Sequence, residues 1–181
     1  MHHDQNSTPV EVITEHHRYT GLAVNRGLRI SDVLNDSNVS LLEMHDTLAV
    51  DHLAACRGVR FDELMLRKET ILMVFPQGDH EAPLRRRNNF VVKERYGAMI
   101  ALPGFILSGI LSLPAKSNPL VLLAENSPIA RFIGMTDVTV HSSTHDLGFS
   151  QCGVAIVHRL AIESAQLTAQ SLAKQGSTVV A

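Results

Sequence analysis

The chain contains one stretch twice, and this repeat decides how the fold is predicted. Residues 18–35 read RYTGLAVNRGLRISDVLN, and residues 95–112, which lie 77 positions later, read RYGAMIALPGFILSGILS. Aligned without a gap, the two stretches share five identical positions: Arg18/Arg95, Tyr19/Tyr96, Gly27/Gly104, Ser31/Ser108 and Leu34/Leu111. Six further positions pair one apolar residue with another. We interpret the pattern as an internal duplication.

The composition is typical of a globular protein. The chain has 181 residues, of which 45% are hydrophobic, and its formal net charge is −2. This charge, the absence of Trp and the presence of only two Tyr argue against a nucleic-acid surface. No apolar run reaches the ~18 residues that a bilayer span needs, and the polar N-terminus lacks the apolar region of a secretory signal. Because two cysteines are also too few for a disulfide framework, we expect a cytoplasmic protein.

Local patterns predict a β-rich chain. Alternating, often β-branched residues predict one long strand over 10–24. Ser31 is expected to cap a short helical turn over 31–36. Residues 71–75 are apolar on both faces, which predicts a buried strand. Residues 47–57 fit either a helix or a strand, and we favour the strand. Further strands are predicted at 39–44, 61–67, 120–123 and 136–141.

A helix is predicted near the C-terminus, over residues 154–173. This segment is rich in Ala, Leu, Ile and Gln and contains neither Pro nor Gly. Ile156, Leu160 and Leu167 lie near one side at helical spacing. An isolated helix of ~18 residues is marginal in water, so these three residues are candidates for packing on the β body or on another subunit.

The predicted fold is mainly β (α+β), with two homologous modules packed about a pseudo-twofold axis. Its parts are a flexible N-terminus (1–9), β module copy 1 (10–78), a basic linker (79–89), β module copy 2 (90–146) and a C-terminal helix and tail (147–181).

The pattern R-Y-x-G, then a Gly or Pro turn, then S-D-x-L-N resembles an uncharacterised family of small bacterial β-rich domains. The first copy carries the whole pattern, in Arg18-Tyr19-x-Gly21 and Ser31-Asp32-x-Leu34-Asn35. The second copy has Gly109 for the aspartate and Ser112 for the asparagine. The resemblance implies two tandem compact β modules, and it implies no activity.

One histidine cluster has the spacing of a metal site. His141, His145 and Asp146 would converge on Zn²⁺ if their segment were helical or tightly turned, with His45 or His52 as further ligands. The alternative is a polar turn after a strand, since the H-E-x-x-H form of a zinc hydrolase is absent. We expect no other cofactor.

A second candidate site is the basic run Arg85-Arg86-Arg87, which suits phosphate or an acidic partner. The alternative is a solvated tract, partly balanced by Asp79 and Glu81. The sequence contains no G-x-S-x-G elbow, P-loop or G-x-G-x-x-G motif.

These observations favour a protein without catalytic activity. We expect an assembly, scaffold or accessory subunit that contacts other protein subunits, as a homo-oligomer or within a larger complex, and binds no nucleic acid. The alternative is a metal- or small-molecule-binding regulatory domain that uses the histidine cluster.

Overall fold

Ten strands form a single antiparallel sheet, which confirms the predicted mainly β fold. The computed structural model describes residues 6–51, 58–77, 92–116, 118–124, 129–142, 147 and 150–169. In chain order the elements are β1 (Ser7–Thr14), β2 (His17–Val24), α1 (Ile30–Asn35), β3 (Leu41–Asp51), β4 (Val59–Arg67), β5 (Ile71–Pro76), β6 (Lys93–Leu102), β7 (Phe105–Pro114), α2 (Pro119–Leu123), β8 (Phe132–His141), β9 (Gln151–His158) and β10 (Ser164–Ala169). Within these ranges, neither helix is long and apolar enough to cross a membrane.

The long strand predicted over 10–24 is wrong, because the chain reverses between Thr14 and His17. β1 and β2 form a hairpin in which Ile13 lies opposite Arg18. The Thr14 hydroxyl oxygen accepts a hydrogen bond from the His17 N–H and donates one to the His17 carbonyl, both at 3.1 Å. A threonine can close a tight turn in this way, so the alternation that resembled one strand belongs to two.

The predicted helical turn is present as α1, but its predicted cap is wrong. Arg29 is the N-cap, without a side-chain hydrogen bond, and Ser31 lies inside the helix. The ambiguous segment begins as a strand, since β3 extends to Asp51. Residues 52–57 lie outside the described part of the chain.

The two halves of the chain have the same order of elements, each with two strands, a helix, two strands, a short 3-10 turn and a last strand. Pairing registers also correspond: Val10 lies opposite Gly21, and Ala98 opposite Gly109, 88 residues later. Further along, Met44 lies opposite Leu64, and Met135 opposite Ala155, 91 residues later. The 77-residue alignment is therefore wrong in register. It matches α1 with β7. The strand predicted at 120–123 is also wrong, because these residues belong to helix α2.

A β-bulge recurs at the same place in both halves. The strand register shifts at Gly21 in one half and at Gly109 in the other. A Cβ atom at either glycine would lie 2.8 Å from a backbone oxygen of the neighbouring strand. Beside each glycine an aspartate has a left-handed φ, 49° at Asp46 and 53° at Asp137. Gly is required because the two backbones approach too closely for a side chain.

The halves join head to tail in the middle of the sheet, whose order is β10-β6-β7-β8-β9-β5-β1-β2-β3-β4. A simple twofold sheet contact would pair a strand with its own equivalent, whereas this joint pairs β9 with β5. Alternate residues of these strands enter two different cores. Val74 and Ile156 lie in the first core with Val10, Leu42 and Met44. Met73, Phe75 and Val157 lie in the second core, whose other members include Ile100, Leu107, Leu111 and Met135. Since β5 is buried on both faces, the prediction for residues 71–75 is confirmed.

The helix predicted over 154–173 is wrong for every described residue. Residues 154–158 belong to β9, and a 3-10 turn (Arg159–Ala161) leads into β10. Burial between two cores explains the uniformly apolar run, which helical and strand patterns fit equally over so few residues. β9 and β10 extend the second half to residue 169, beyond the predicted boundary at 146. The linker 79–89 lies outside the described residues.

Candidate functional site

The sheet ends at β4 in an edge with exposed apolar residues. Among the described strands, β4 pairs only with β3. Its exposed apolar residues are Val59, Phe61 and Met65, which stand among the charged residues Arg60, Asp62, Glu63 and Arg67. The three apolar residues are 58%, 37% and 56% exposed. An unpaired edge with exposed apolar residues can add a strand from another chain.

The opposite end of the sheet is β10, which pairs only with β6 among the described strands. Ala165 and Leu167 pack against the second core but are only half-buried. The other face of β10 carries the exposed residues Ser164, Gln166 and Thr168. One face of this edge is therefore the open side of a core, and the other is polar.

A side chain links the halves beside their joint. Asn35, at the end of α1, accepts a hydrogen bond from the Phe132 N–H at 2.8 Å and donates one to the Phe132 carbonyl at 2.9 Å. The amide thus pairs with the first residue of β8 as a neighbouring strand would. Asn35 also donates to the Ser31 carbonyl at 2.9 Å. The asparagine of the S-D-x-L-N pattern is therefore a bridge between the halves as well as a helix terminus.

A buried histidine lies at the same seam. The His158 ring stacks on Phe132, with centroids 4.7 Å apart and an interplanar angle of 15°. Burial lowers the His158 pKa below 6.5, and the positive charges of Arg131 and Arg159 lower it further. The nearby Ile71 backbone opposes this shift, although no hydrogen bond of normal geometry reaches either ring nitrogen within the described structure. The structure therefore favours the neutral imidazole.

Each half also has a buried cation at the end of its helix. The Lys68 ammonium donates hydrogen bonds to the Val33 and Asp36 carbonyls at the end of α1. In the second half, the Arg159 guanidinium donates to the Leu123 and Ala124 carbonyls. Cations stabilise the partial negative charge at a helix C-terminus. Desolvation lowers the Lys68 pKa, against the raising effect of Asp36. The role of both cations is structural.

A cavity of about 250 Å³ opens beside Lys68. It is lined by the end of α1 and the following residues, by Lys68 and Glu69, and by Arg131 from the other half. Lys68 and Arg131 are balanced by Asp36 and Glu69. This mixture selects neither an anion nor a cation.

A charge pair with a buried carboxylate links the strands of the first hairpin. Arg18 Nε is 2.9 Å from Glu11 Oε1, and Arg18 Nη2 donates to Glu11 Oε2 at 3.2 Å. Desolvation raises the Glu11 pKa despite the opposing effect of Arg18. Nearby, burial and the Glu11 charge raise the pKa of the Cys152 thiol to about 11. A protonated thiol is a poor nucleophile.

The predicted metal site is only partly described. His141 is exposed at the end of β8, whereas His145, Asp146 and His52 lie outside the described residues. His45 lies on β3, with its Nε2 3.2 Å from Glu43 Oε1. The described part of the chain brings no three His, Cys, Asp or Glu residues together as a metal cluster.

The predicted partner-binding residues do not form one surface. Arg85, Arg86 and Arg87 lie outside the described residues. Ile156 is buried in the first core, Leu160 is exposed in the 3-10 turn, and Leu167 faces the second core from β10. The apolar stripe of a helix is therefore wrong for these residues. Sequence reasoning missed β4 and Asn35 as contact positions, although the spacings of Gly21 to Gly109 and Asp46 to Asp137 contained the signal for the correct repeat.

No family model, curated protein or solved structure matches the chain. The resemblance to the family of small bacterial β domains stays a prediction.

Proposed function

We propose that the protein is a cytoplasmic, non-catalytic scaffold or accessory subunit that acts through contacts with other protein subunits. One observation carries this proposal: β4 exposes Val59, Phe61 and Met65, and it pairs only with β3 among the described strands. Natural sheets protect their edges with charge, proline or a covering element. β4 carries charge at Arg60, Asp62, Glu63 and Arg67, but Val59, Phe61 and Met65 stay exposed among these residues, as apolar residues at a binding surface do.

Three groups that could take part in catalysis are buried, protonated or engaged in structural contacts, which supports a non-catalytic role. The Cys152 thiol has a pKa of about 11. His158 is buried against Phe132, and the Lys68 ammonium binds backbone carbonyls.

The proposal is tested by placing a charge on the β4 face. We expect Met65→Lys to remove the protein from its native complex, measured by native gel electrophoresis and immunoblotting of the source extract. Met99→Lys is the matched control, because Met99 is similarly exposed, at 52%, on the internal strand β6. Migration of the wild-type chain as a monomer in the extract would contradict the proposal.

The alternative proposal is a metal-binding regulatory domain built on His141, His145 and Asp146. Elemental analysis of tag-free protein tests it, with His145→Ala as the matched variant. Stoichiometric Zn²⁺ that this variant loses would favour the alternative over the scaffold.

A further inference from the structure

The joint between the halves provides a template for a contact between two chains. In this joint β9 pairs antiparallel with β5, with Ile156 opposite Val74 and Val157 opposite Met73. Both members of the first pair are excluded from solvent and lie in the first core. Each strand thereby covers the open side of a core that the other half builds.

β4 is the equivalent of β9, but among the described strands it has no such partner. Leu41 lies opposite Arg67, just as Phe132 lies opposite His158, 91 residues later in both strands. By the same spacing Met65 corresponds to Ile156. Ile156 is 1% exposed and Met65 is 56% exposed. Met65 thus occupies the position of a core residue, but no second strand of the described structure lies beside it to bury it.

β10 is the equivalent of β5, and it has no covering strand among the described elements. Val12 on β1 and Ile100 on β6 are equivalent positions, 88 residues apart. Val12 lies opposite Val74 on β5, and Ile100 lies opposite Ala165 on β10. Ala165 therefore corresponds to Val74, yet it is only half-buried. The open side of the second core at Ala165 and Leu167 is the surface that a strand equivalent to β9 would cover.

We infer that β4 of one chain pairs antiparallel with β10 of a second copy of the same chain, in the register of the internal joint. This inference rests on the proposed scaffold function and names the partner. The two pairs of the internal joint place Met65 opposite Ala165. Continuing this register along both strands places Phe61 opposite Ala169, so that each large apolar side chain faces a small one. Met65 then covers the second core of the neighbouring chain.

Charge supports this register independently of the apolar contacts. Continued past Met65 toward the C-terminal end of β4, it places Arg67 opposite Glu163, and both residues are exposed in the single chain. Opposite charges across a strand pair stabilise it. Arg67 Nη2 lies 2.8 Å from Glu69 Oε1 within its own chain, but that pair is exposed, with side chains 71% and 61% accessible. Pairing with Glu163 therefore gives Arg67 a second carboxylate partner, and it breaks no buried ion pair.

The contact between chains is weaker than the internal joint. Where β5 presents Met73 and Phe75 to the second core, β10 has Ser164 and Gln166. These polar residues would lie beside Leu64 and Leu66 of β4. We therefore expect reversible, concentration-dependent association. Because the contact is head to tail, it either closes a ring or continues as a chain of subunits.

Disulfide crosslinking between two differently sized chains tests the register. One chain carries Met65→Cys and the other carries Ala165→Cys, both with Cys56→Ser and Cys152→Ser. On mixing and mild oxidation we expect a heterodimer on a non-reducing gel, with a 65–165 disulfide identified by mass spectrometry. Pairing Met65→Cys with Thr168→Cys, three positions out of register, and Met99→Cys with Ala165→Cys provides the controls.

Each outcome bears on the inference. Efficient homodimers of the Met65→Cys chain alone would indicate that β4 pairs with β4, and would overturn it. Crosslinking no better than the controls would also overturn it. The scaffold function would survive either result if Met65→Lys still removed the protein from its native complex.

A charge exchange repeats the test with the native cysteines. We expect Arg67→Glu to weaken self-association roughly threefold, and Glu163→Arg to do the same. The double variant should restore it in sedimentation velocity experiments. A double variant that associates as weakly as the single ones would overturn the register.

Discussion

β4 and β9 occupy the same place in the two halves, yet one is exposed and the other is buried. Both pair with the preceding strand in the same register. β9 has β5 on its other side, whereas β4 has no second partner in the described structure. A strand's place in its module therefore does not decide whether it is buried. Its burial depends on the neighbouring strand across the joint.

The largest expected effect comes from truncating the two equivalent side chains. Ile156→Ala should cost about 2–5 kcal/mol of unfolding free energy, because it empties space in the first core. Met65→Ala should cost less than about 0.5 kcal/mol in dilute solution, since Met65 is exposed. Urea denaturation at low protein concentration measures both. Equal losses would mean that β4 is covered in the single chain.

The next test removes the bridge that holds the halves together beside the joint. Asn35→Ala should cost about 1–3 kcal/mol, since it removes two hydrogen bonds to the Phe132 backbone. Asn38→Ala is the control, because its hydrogen bonds to Asp36 are exposed. Thermal unfolding followed by circular dichroism compares them. If both variants unfold alike, the Asn35 bridge does not stabilise the seam.

Acidification should weaken the same seam through His158. Its folded pKa lies below the value of 6.5 expected in the unfolded chain. The unfolded chain therefore binds more protons in this window, and stability must fall as the pH drops below about 6.5. Glu11 acts in the opposite sense, because its folded pKa is raised above 4.5, so its protonation favours the folded state.

Urea titrations between pH 5 and pH 8 measure this dependence. His158→Gln should flatten the fall in stability, whereas His141→Gln should leave it unchanged because His141 is exposed. An unchanged slope in His158→Gln would show that another group causes the fall.

Phe61 on β4 and Cys152 on β9 are equivalent positions. We expect substitutions there to have the smallest effect on stability, and the two positions to differ most in their accessibility to solvent. The Cys152 thiol should react slowly with a thiol reagent at pH 8, since its pKa is about 11. A cysteine introduced by Phe61→Cys should react much faster, because Phe61 is on the exposed edge. Labelling rates measure this difference. The Cys152 thiol is followed in a Cys56→Ser chain, and the cysteine introduced at position 61 is followed in a chain that also carries Cys56→Ser and Cys152→Ser. Equal rates would mean that β9 opens readily.

The sequence predicted the β class and several elements, but it placed the repeat in the wrong register. The shared Arg-Tyr pairs are not structurally equivalent, because Arg18 lies on β2 and Arg95 on β6. They have different partners: Arg18 pairs with the buried Glu11, and Arg95 lies 3.9 Å from the exposed Asp137. The 77-residue alignment rests on chance identities between short apolar strands. The bulges indicate the correct spacing, but each half contributes only one glycine and one aspartate to that pattern.

The candidate site could not be predicted from the chain alone. Val59 and Phe61 alternate with Arg60 and Asp62, whereas Met65 lies between Leu64 and Leu66. This pattern fits an internal strand as well as an edge strand. Only the sheet order shows that β4 meets no second neighbour in the described structure. The metal and arginine hypotheses depended on local spacing, and all of their residues except His141 and His45 lie outside the described part of the chain.

By itself, the sequence determined local properties. Alternation and β-branched residues specify strands, and the doubly apolar run at residues 71–75 specifies a strand buried on both faces. Gly21 and Gly109 permit the close backbone approach of a bulge. Only the tertiary structure decided that β9 joins β5, that residues 154–158 form a strand between two cores, and that β4 has no second neighbour among the described strands. The physical reason is that burial depends on which strand lies alongside, and that pairing joins residues far apart in the chain.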